Sequence, residues 1–266
     1  MRSIILFLLS APLFLAGQNL QLSLVKSFPI PLAQDLNVDQ FGNIYYLEGN
    51  EIIKLQANGL NKQSYSHPRF GEINFFTIIN PLQPLLYYAD FNEVHLLDNR
   101  LNFSRSINLL DAGFIDPSLV TYTNQRQLLI FDQVSGRLSI YDPETKRLQN
   151  YSPAINQVNA SPKRPTMMLS SYNNHLLYLP QEGFLIFDAL AAYQKKINYQ
   201  EKLVSADFNN ELIACLNENG IIDIISIKTG QVQKLISPEQ GIKRIILHNR
   251  SLYLWKDHFL YQYTLE

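Results

Sequence analysis

Six times along this chain an apolar run of four or five residues meets a short polar turn, and a second apolar run follows. The pairs are NIYYLEGNEIIKL (43–55), LLYYADFNEVHLL (85–97), QLLIFDQVSGRLSIY (127–141), HLLYLPQEGFLIF (175–187), ELIACLNENGIIDII (211–225) and SLYLWKDHFLYQY (251–263). Marked by the residue after each first run (Glu48, Asp90, Asp132, Pro180, Asn217 and Lys256), they recur about every 40 residues. A repeat of this length is one supersecondary unit that cannot bury its apolar face alone, so each copy needs neighbours.

Each hairpin has a strand-like segment before it: DLNVD, FFTII, SLVTY, TMMLS, LVSADF or KRIIL. The first five also have a more polar segment after it, so a unit holds four strands. Gly and Asn in FGN, EGN and ENG supply the positive φ that tight hairpin turns require. The two ends of the chain complete the pattern. The last unit stops at Glu266 without a fourth strand, while LQLSLVKSFPI (20–30) precedes the first unit unassigned. The residues after Lys256, joined to those from Gln18 to Glu48, make one further spacing of about 40 residues. The reading is an all-β, six-bladed β-propeller with four-stranded blades, its ring closed by the N-terminal strand. The most helix-like stretch, FLIFDALAAYQKKI (184–197), fits this as a strand, a turn and the start of a polar strand.

DQFGNIYYL (39–47) resembles the hairpin motif of six-bladed propellers of the NHL/SMP-30/TolB-like kind: an Asp, then Gly-Asn, then Ile and Tyr. NNHLLYL (173–179) and NNELIACL (209–216) are partial echoes. The resemblance is one of fold. Within that group it implies, as an alternative function, a metal-dependent, lactonase-like hydrolase with its site at the central channel. Carboxylates and carbonyls converging on the axis would serve such a site, but no ligand pattern of that kind can be placed on this chain.

The first residues differ from the rest. MRSIILFLLSAPLFLAGQ has one basic residue, an apolar run and then small residues, the layout of a cleaved signal peptide over 1–17. The run is shorter than the roughly 20 residues a membrane helix needs. The expectation is a secreted or periplasmic protein whose residues 18–266 form one propeller domain, without a membrane span after cleavage. With 22 Lys+Arg against 23 Asp+Glu and no basic block, the sequence gives no sign of a nucleic-acid partner. The single cysteine, Cys215 within LIACL, reads as a small buried hydrophobe. Four sequons (102–104, 150–152, 159–161 and 249–251) bear on function only in a host that glycosylates them.

In a propeller, the inter-blade loops share a face with the turns between second and third strands. That face is the expected ligand face. Its candidate binding residues are Glu48, His67, Arg69, Asp90, Asp132, Lys163, Arg164 and Asp257. Polar residues also belong in turns for their own sake. The five histidines lack metal-ligand spacing; His67, before Pro68 in a loop on the candidate face, is the one with a functional placement. The longest inter-blade connection, SPAINQVNASPKRP (152–165), would project Lys163 and Arg164 toward a partner. The function expected is an exported, non-catalytic module, a monomeric domain that binds another protein or an envelope or extracellular ligand. No catalytic or metal residue and no cofactor is assigned.

Overall fold

The computed structural model describes residues 20–57, 61–123 and 125–266; the signal peptide expected over 1–17 lies outside them. Six four-stranded antiparallel sheets stand in a ring. The first strand, β1 (Leu22–Pro29), belongs to the last sheet. Blade 1 is β2 (Asp35–Val38), β3 (Ile44–Glu48), β4 (Glu51–Leu55) and β5 (Lys62–Ser66). Blade 2 is β6 (Phe75–Thr77), β7 (Leu85–Tyr88), β8 (Glu93–Leu97) and β9 (Phe103–Asn108). Blade 3 is β10 (Pro117–Tyr122), β11 (Leu128–Asp132), β12 (Arg137–Asp142) and β13 (Arg147–Tyr151), followed by the one-turn helix α1 (Ile155–Val158). Blade 4 is β14 (Met167–Ser170), β15 (Asn174–Leu179), β16 (Gly183–Asp188) and β17 (Tyr193–Asn198). Blade 5 is β18 (Leu203–Asn209), β19 (Leu212–Asn217), β20 (Ile221–Ser226) and β21 (Val232–Ile236). Blade 6 is β22 (Arg244–His248), β23 (Ser251–Lys256) and β24 (Phe259–Leu265), with β1 as its outermost strand.

The expected closure is present. β1 runs antiparallel to β24 from Leu22 opposite Leu265 to Pro29 opposite Phe259, and the Gln21 and Glu266 backbones exchange hydrogen bonds of 3.0 and 3.1 Å. The two ends of the chain therefore share one blade, and no three-stranded blade is left with an open edge. The helix-like segment 184–197 is indeed β16, a turn and the start of β17.

The second and third strands of the blades are buried on both faces, except β24 of blade 6, whose burial alternates; this is why the others read as continuous apolar runs. The core is divided into six clusters, one at each seam between adjacent blades. The seam between blades 6 and 1, for instance, packs Trp255, Leu260 and Tyr253 against Leu36, Tyr46 and Ile53. Fully burying one such side chain is worth about 1.5–3 kcal/mol, against about 1 kcal/mol for a typical hydrogen bond, so apolar seams carry the ring.

Turns are held by short polar side chains. Asp39 accepts from the Phe41 and Asn43 N–H groups (both 2.9 Å), from Asn43 Nδ2 (2.8 Å) and from the Tyr45 hydroxyl (3.1 Å). This makes DQFGN a self-bonded turn, with Gly42 at φ +81°. Asp98 and Asp188 repeat the device between third and fourth strands of their blades. Gly183 is the glycine the fold cannot replace: a Cβ there would lie 1.9 Å from the Ile197 carbonyl oxygen.

Candidate functional site

The first strand of every blade lines the axis, and the six together enclose a channel of about 930 Å³. Asn37, Thr77, Thr121, Ser170, Ser205 and Asp207 are among its wall residues. An inner strand has no neighbour on its axial edge, so its backbone groups there need partners. Between blades 5 and 6 side chains provide them. Ser205 Oγ accepts from the Ile245 N–H (3.1 Å), and Asp207 Oδ2 accepts from the Leu247 N–H (2.7 Å). Enclosure in the wall pushes the Asp207 carboxyl above its usual range, opposed by the Leu247 N–H, His248 and Arg244. Arg244 pairs with Asp35 and His248 bonds the Val38 carbonyl, so β22 is tied to blade 1 as well as to blade 5.

The channel has two mouths. On the side of the inter-blade loops it is lined by Gln34, Asn74, Ala89, Thr166, Lys243 and Trp255. On the opposite side, where first strands turn into second strands, each blade contributes at least one polar turn residue. These include Gln40, Asn80, Arg126, Tyr172, Asn210 and Asn249, in blade order.

None of the eight candidate residues lines the channel. Glu48 ends β3, opposite Glu51 across a two-residue turn. His67 and Arg69 lie in the loop between blades 1 and 2, where the His67 ring packs on Phe70 and His95 at centroid distances of 4.7 and 5.3 Å. Asp90 is exposed in the turn after β7. The Asp132 carboxylate is buried and accepts from the N–H groups of Ile115 (2.8 Å), Asp116 (2.7 Å) and Ser135 (2.8 Å), so it anchors a loop. Lys163 donates to the Pro180 carbonyl (2.8 Å), and Arg164 bonds the Gln133 side chain. Asp257 pairs with Lys243 at 3.2 Å. These residues share a face of the ring, spread over blades 1, 2, 3 and 6 and the loops before blades 2 and 4, and do not converge on one point.

The long connection 152–165 is fastened rather than projecting. The Ile155 N–H donates to the Gly136 carbonyl (2.8 Å), and Ser161, Asn159 and Lys196 all bond Glu182. The Ser161 hydroxyl, followed by Lys196 and Asn159, holds the Glu182 carboxyl down at about 2 despite partial burial.

Among the described residues no group of three or more His, Cys, Asp or Glu side chains is placed to hold a metal ion. Two histidines are buried within blades. His95 touches Tyr65 (3.0 Å) and His175 touches Ser170 (2.8 Å), and burial pushes both down to about 4. Cys215 is buried and free, and burial raises its thiol well above the ordinary range, as suits a packing residue.

The ring places this chain among known propellers. It is similar to the β-propeller domain of Cps50 (Swd1) from Myceliophteria thermophila, with a TM-score of 0.65, 11% identity, and coverage of 92% of this chain and 100% of that one. It is also similar to virginiamycin B lyase from Staphylococcus aureus (TM-score 0.60, 9% identity, 93% and 100% covered). A third neighbour is BBS1N in complex with ARL6DN (TM-score 0.61, 8% identity, 88% and 78% covered). At these identities the likeness establishes the fold alone. No protein-family model and no curated protein sequence matches the chain.

Proposed function

We propose that the protein is an exported, non-catalytic binding module that holds a ligand or a segment of another protein in its central channel. The carrying observation is the channel itself. It is about 930 Å³, within the size range of ligand sites, and its wall mixes hydroxyls, amides and apolar side chains from all six blades. The wall is pre-formed, because β22 is bonded to β18 and β2 by Asp207, Ser205, Arg244 and His248. A rigid site loses less freedom on binding. One neighbour of the same fold, BBS1N, is described in complex with a second protein, ARL6DN, which supports a binding role for a ring of this kind. Export is supported by the signal-like layout of residues 1–17.

Two measurements test this. N-terminal sequencing of the protein recovered from the exported fraction should begin at Gly17 or Gln18; a chain that keeps Met1 and stays with the cells overturns export. Native mass spectrometry of that same material should show a retained non-covalent mass that is lost in the channel-narrowing double variant Asn37→Trp/Asn209→Trp. A bare wild-type mass, or turnover of a lactone or ester panel by the wild type, overturns the binding reading.

A further inference from the structure

The channel mouth on the side of the first-to-second-strand turns is built mainly from uncharged polar groups. Six of its polar contributors, Gln40, Asn80, Arg126, Tyr172, Asn210 and Asn249, come one from each blade. Four are amides, one is a phenol and one is a guanidinium, so the rim carries no carboxylate from this set. All but Asn80 are exposed. Asn80 Oδ1 accepts from the Leu82 N–H at 3.0 Å. Among the described residues, the other five side chains make no hydrogen bond within the protein, so their donors and acceptors are free toward the opening.

Apolar surface lies beside this rim. Phe41 (63% exposed) follows Gln40, Leu82 (58%) lies two residues after Asn80, and the Tyr172 ring itself is 64% exposed. An exposed aromatic side chain that lines a polar cavity, as Tyr172 does, is not explained by packing, because the seams that bury aromatic rings lie within the ring of blades. The Asn210 N–H donates to Ser171 Oγ at 3.0 Å, which joins two neighbouring turns of the lip.

We infer that this mouth binds an uncharged, polyhydroxylated chain, the end of an oligosaccharide. A hydroxyl group both donates and accepts, and so does a carboxamide, so a rim of amides matches a ligand of hydroxyls without fixed charge on either side. The flat apolar face of Tyr172, which lines the opening, suits the C–H face of a sugar ring, with the phenol hydroxyl left free to bond. An anionic ligand would call for more free cations than Arg126, since the neighbouring His248 is engaged with the Val38 carbonyl, and for a cationic ligand the nearest lining carboxylate, Asp207, is already taken by the Leu247 and Phe208 N–H groups. A volume of about 930 Å³ accommodates more than one sugar ring, so a chain fits better than a monosaccharide.

This inference rests on the channel-binding reading above and narrows it to a ligand class and a mouth. The test is isothermal titration of the full mature chain with maltohexaose, cellohexaose, xylohexaose and tetra-N-acetylchitotetraose, with tri-alanine and a polygalacturonate oligomer as comparisons. At least one neutral oligosaccharide should bind in the micromolar to low millimolar range, with the two comparison ligands at least about tenfold weaker. Asn210 and Asn249 have φ of 55° and 52°, so alanine there would strain the turns. The double variant Asn210→Gly/Asn249→Gly removes both amides while keeping turns that glycine tolerates. It should weaken binding at least about tenfold, as should Tyr172→Ala, with thermal midpoints close to the wild type. The loop-face variant Glu218→Gln should leave binding unchanged. Binding that persists in both mouth variants, or preference for tri-alanine or for the uronic acid, overturns the inference. So does failure of every neutral sugar. If the sugars fail while a non-sugar mass is retained in the channel, the inference falls and the binding module stands; if no mass is retained either, both fall.

Discussion

The two faces of the ring differ in how their polar groups are used. On the inter-blade loop face, charges are many and largely engaged from blade 4 to blade 6: Lys196 with Glu182, Lys202 with Glu218, Lys256 with Glu239 and Lys243 with Asp257. On the other face, the channel mouth is bounded by amides, a phenol and one guanidinium, and most of these groups have no partner among the described residues. Charged residues in turns draw attention in a sequence, yet here many of them serve one another and the backbone. Unengaged neutral groups beside a cavity are the better sign of a site, because burying them against a ligand is favourable only when the ligand supplies the missing bonds.

Both faces depend on the closed ring, so the largest effect should come from opening it. Removing residues 18–29 takes away β1 and leaves the outer edge of β24 unpaired. The expected outcome is loss of the cooperative unfolding transition, read by circular dichroism and by elution as aggregate. A truncated chain that still melts sharply would mean that the two faces are held independently of closure.

The next largest effect should come from the channel wall between the faces. Asp207→Ala leaves the Leu247 N–H without its acceptor in an enclosed place, at a cost of about 1–3 kcal/mol. Asp207→Asn removes the charge that enclosure disfavours but offers one oxygen where the carboxylate serves the Leu247 and Phe208 N–H groups with two, so its denaturation midpoint at pH 7 should fall between those of the alanine variant and the wild type. The wild type should also lose stability as pH rises through the Asp207 titration: a carboxyl raised in the folded state binds its proton more tightly there than in the unfolded chain. Urea denaturation of the three proteins checks this. An asparagine variant as unstable as the alanine would show that the wall requires both carboxylate oxygens as acceptors.

The contrast between the faces also explains what could be read from the chain beforehand. The ring was legible because blade geometry writes itself as a period: doubly buried second and third strands, glycine or asparagine at turns, and a fourth strand missing at one end and spare at the other. The site was not. Gln40, Asn210 and Asn249 look like ordinary turn residues, and only the closed ring shows that six such turns share one opening. Asp132 looks like a candidate ligand until its carboxylate is seen to accept three backbone N–H groups. Arg164 looks free until Gln133, distant in sequence, is found beside it. The sequence cue that could have found the mouth is positional: a polar, uncharged or aromatic residue at the first-to-second-strand turn of nearly every repeat.

Acid should act on the body of the ring before it acts on the loop-face ion pairs. His95 and His175 titrate near 4 in the folded protein, against about 6.5 for an unhindered imidazole. The folded state therefore binds fewer protons than the unfolded chain between these values. The stability contribution is fully present above about pH 6.5 and is lost as pH falls toward 4. His95→Phe should flatten part of this slope, because His95 sits among Tyr65, Phe70, Tyr88 and Phe103 and its Nε2 has no partner among the described residues. Urea midpoints measured from pH 7 to pH 4 read the slope directly. An unchanged slope in the variant would assign the acid response elsewhere.

The smallest effect should come from the best-connected charge on the loop face. Glu182 is held near 2 by Ser161, Lys196 and Asn159, so its contribution is present above the ordinary carboxylate pKa and is lost only as pH falls from about 4.5 toward 2. The side chain is partly exposed and its cations more so, and solvent screening keeps an ion pair of this kind to about 1 kcal/mol or less. Glu182→Gln should therefore lower the urea midpoint slightly at pH 7 and make no difference near pH 2. Sugar binding at the opposite mouth should be untouched. A Glu182→Gln variant that binds oligosaccharide more weakly at pH 7 would show that the two faces are coupled through blade 4, and the division of labour between a charged structural face and a neutral binding face would have to be abandoned.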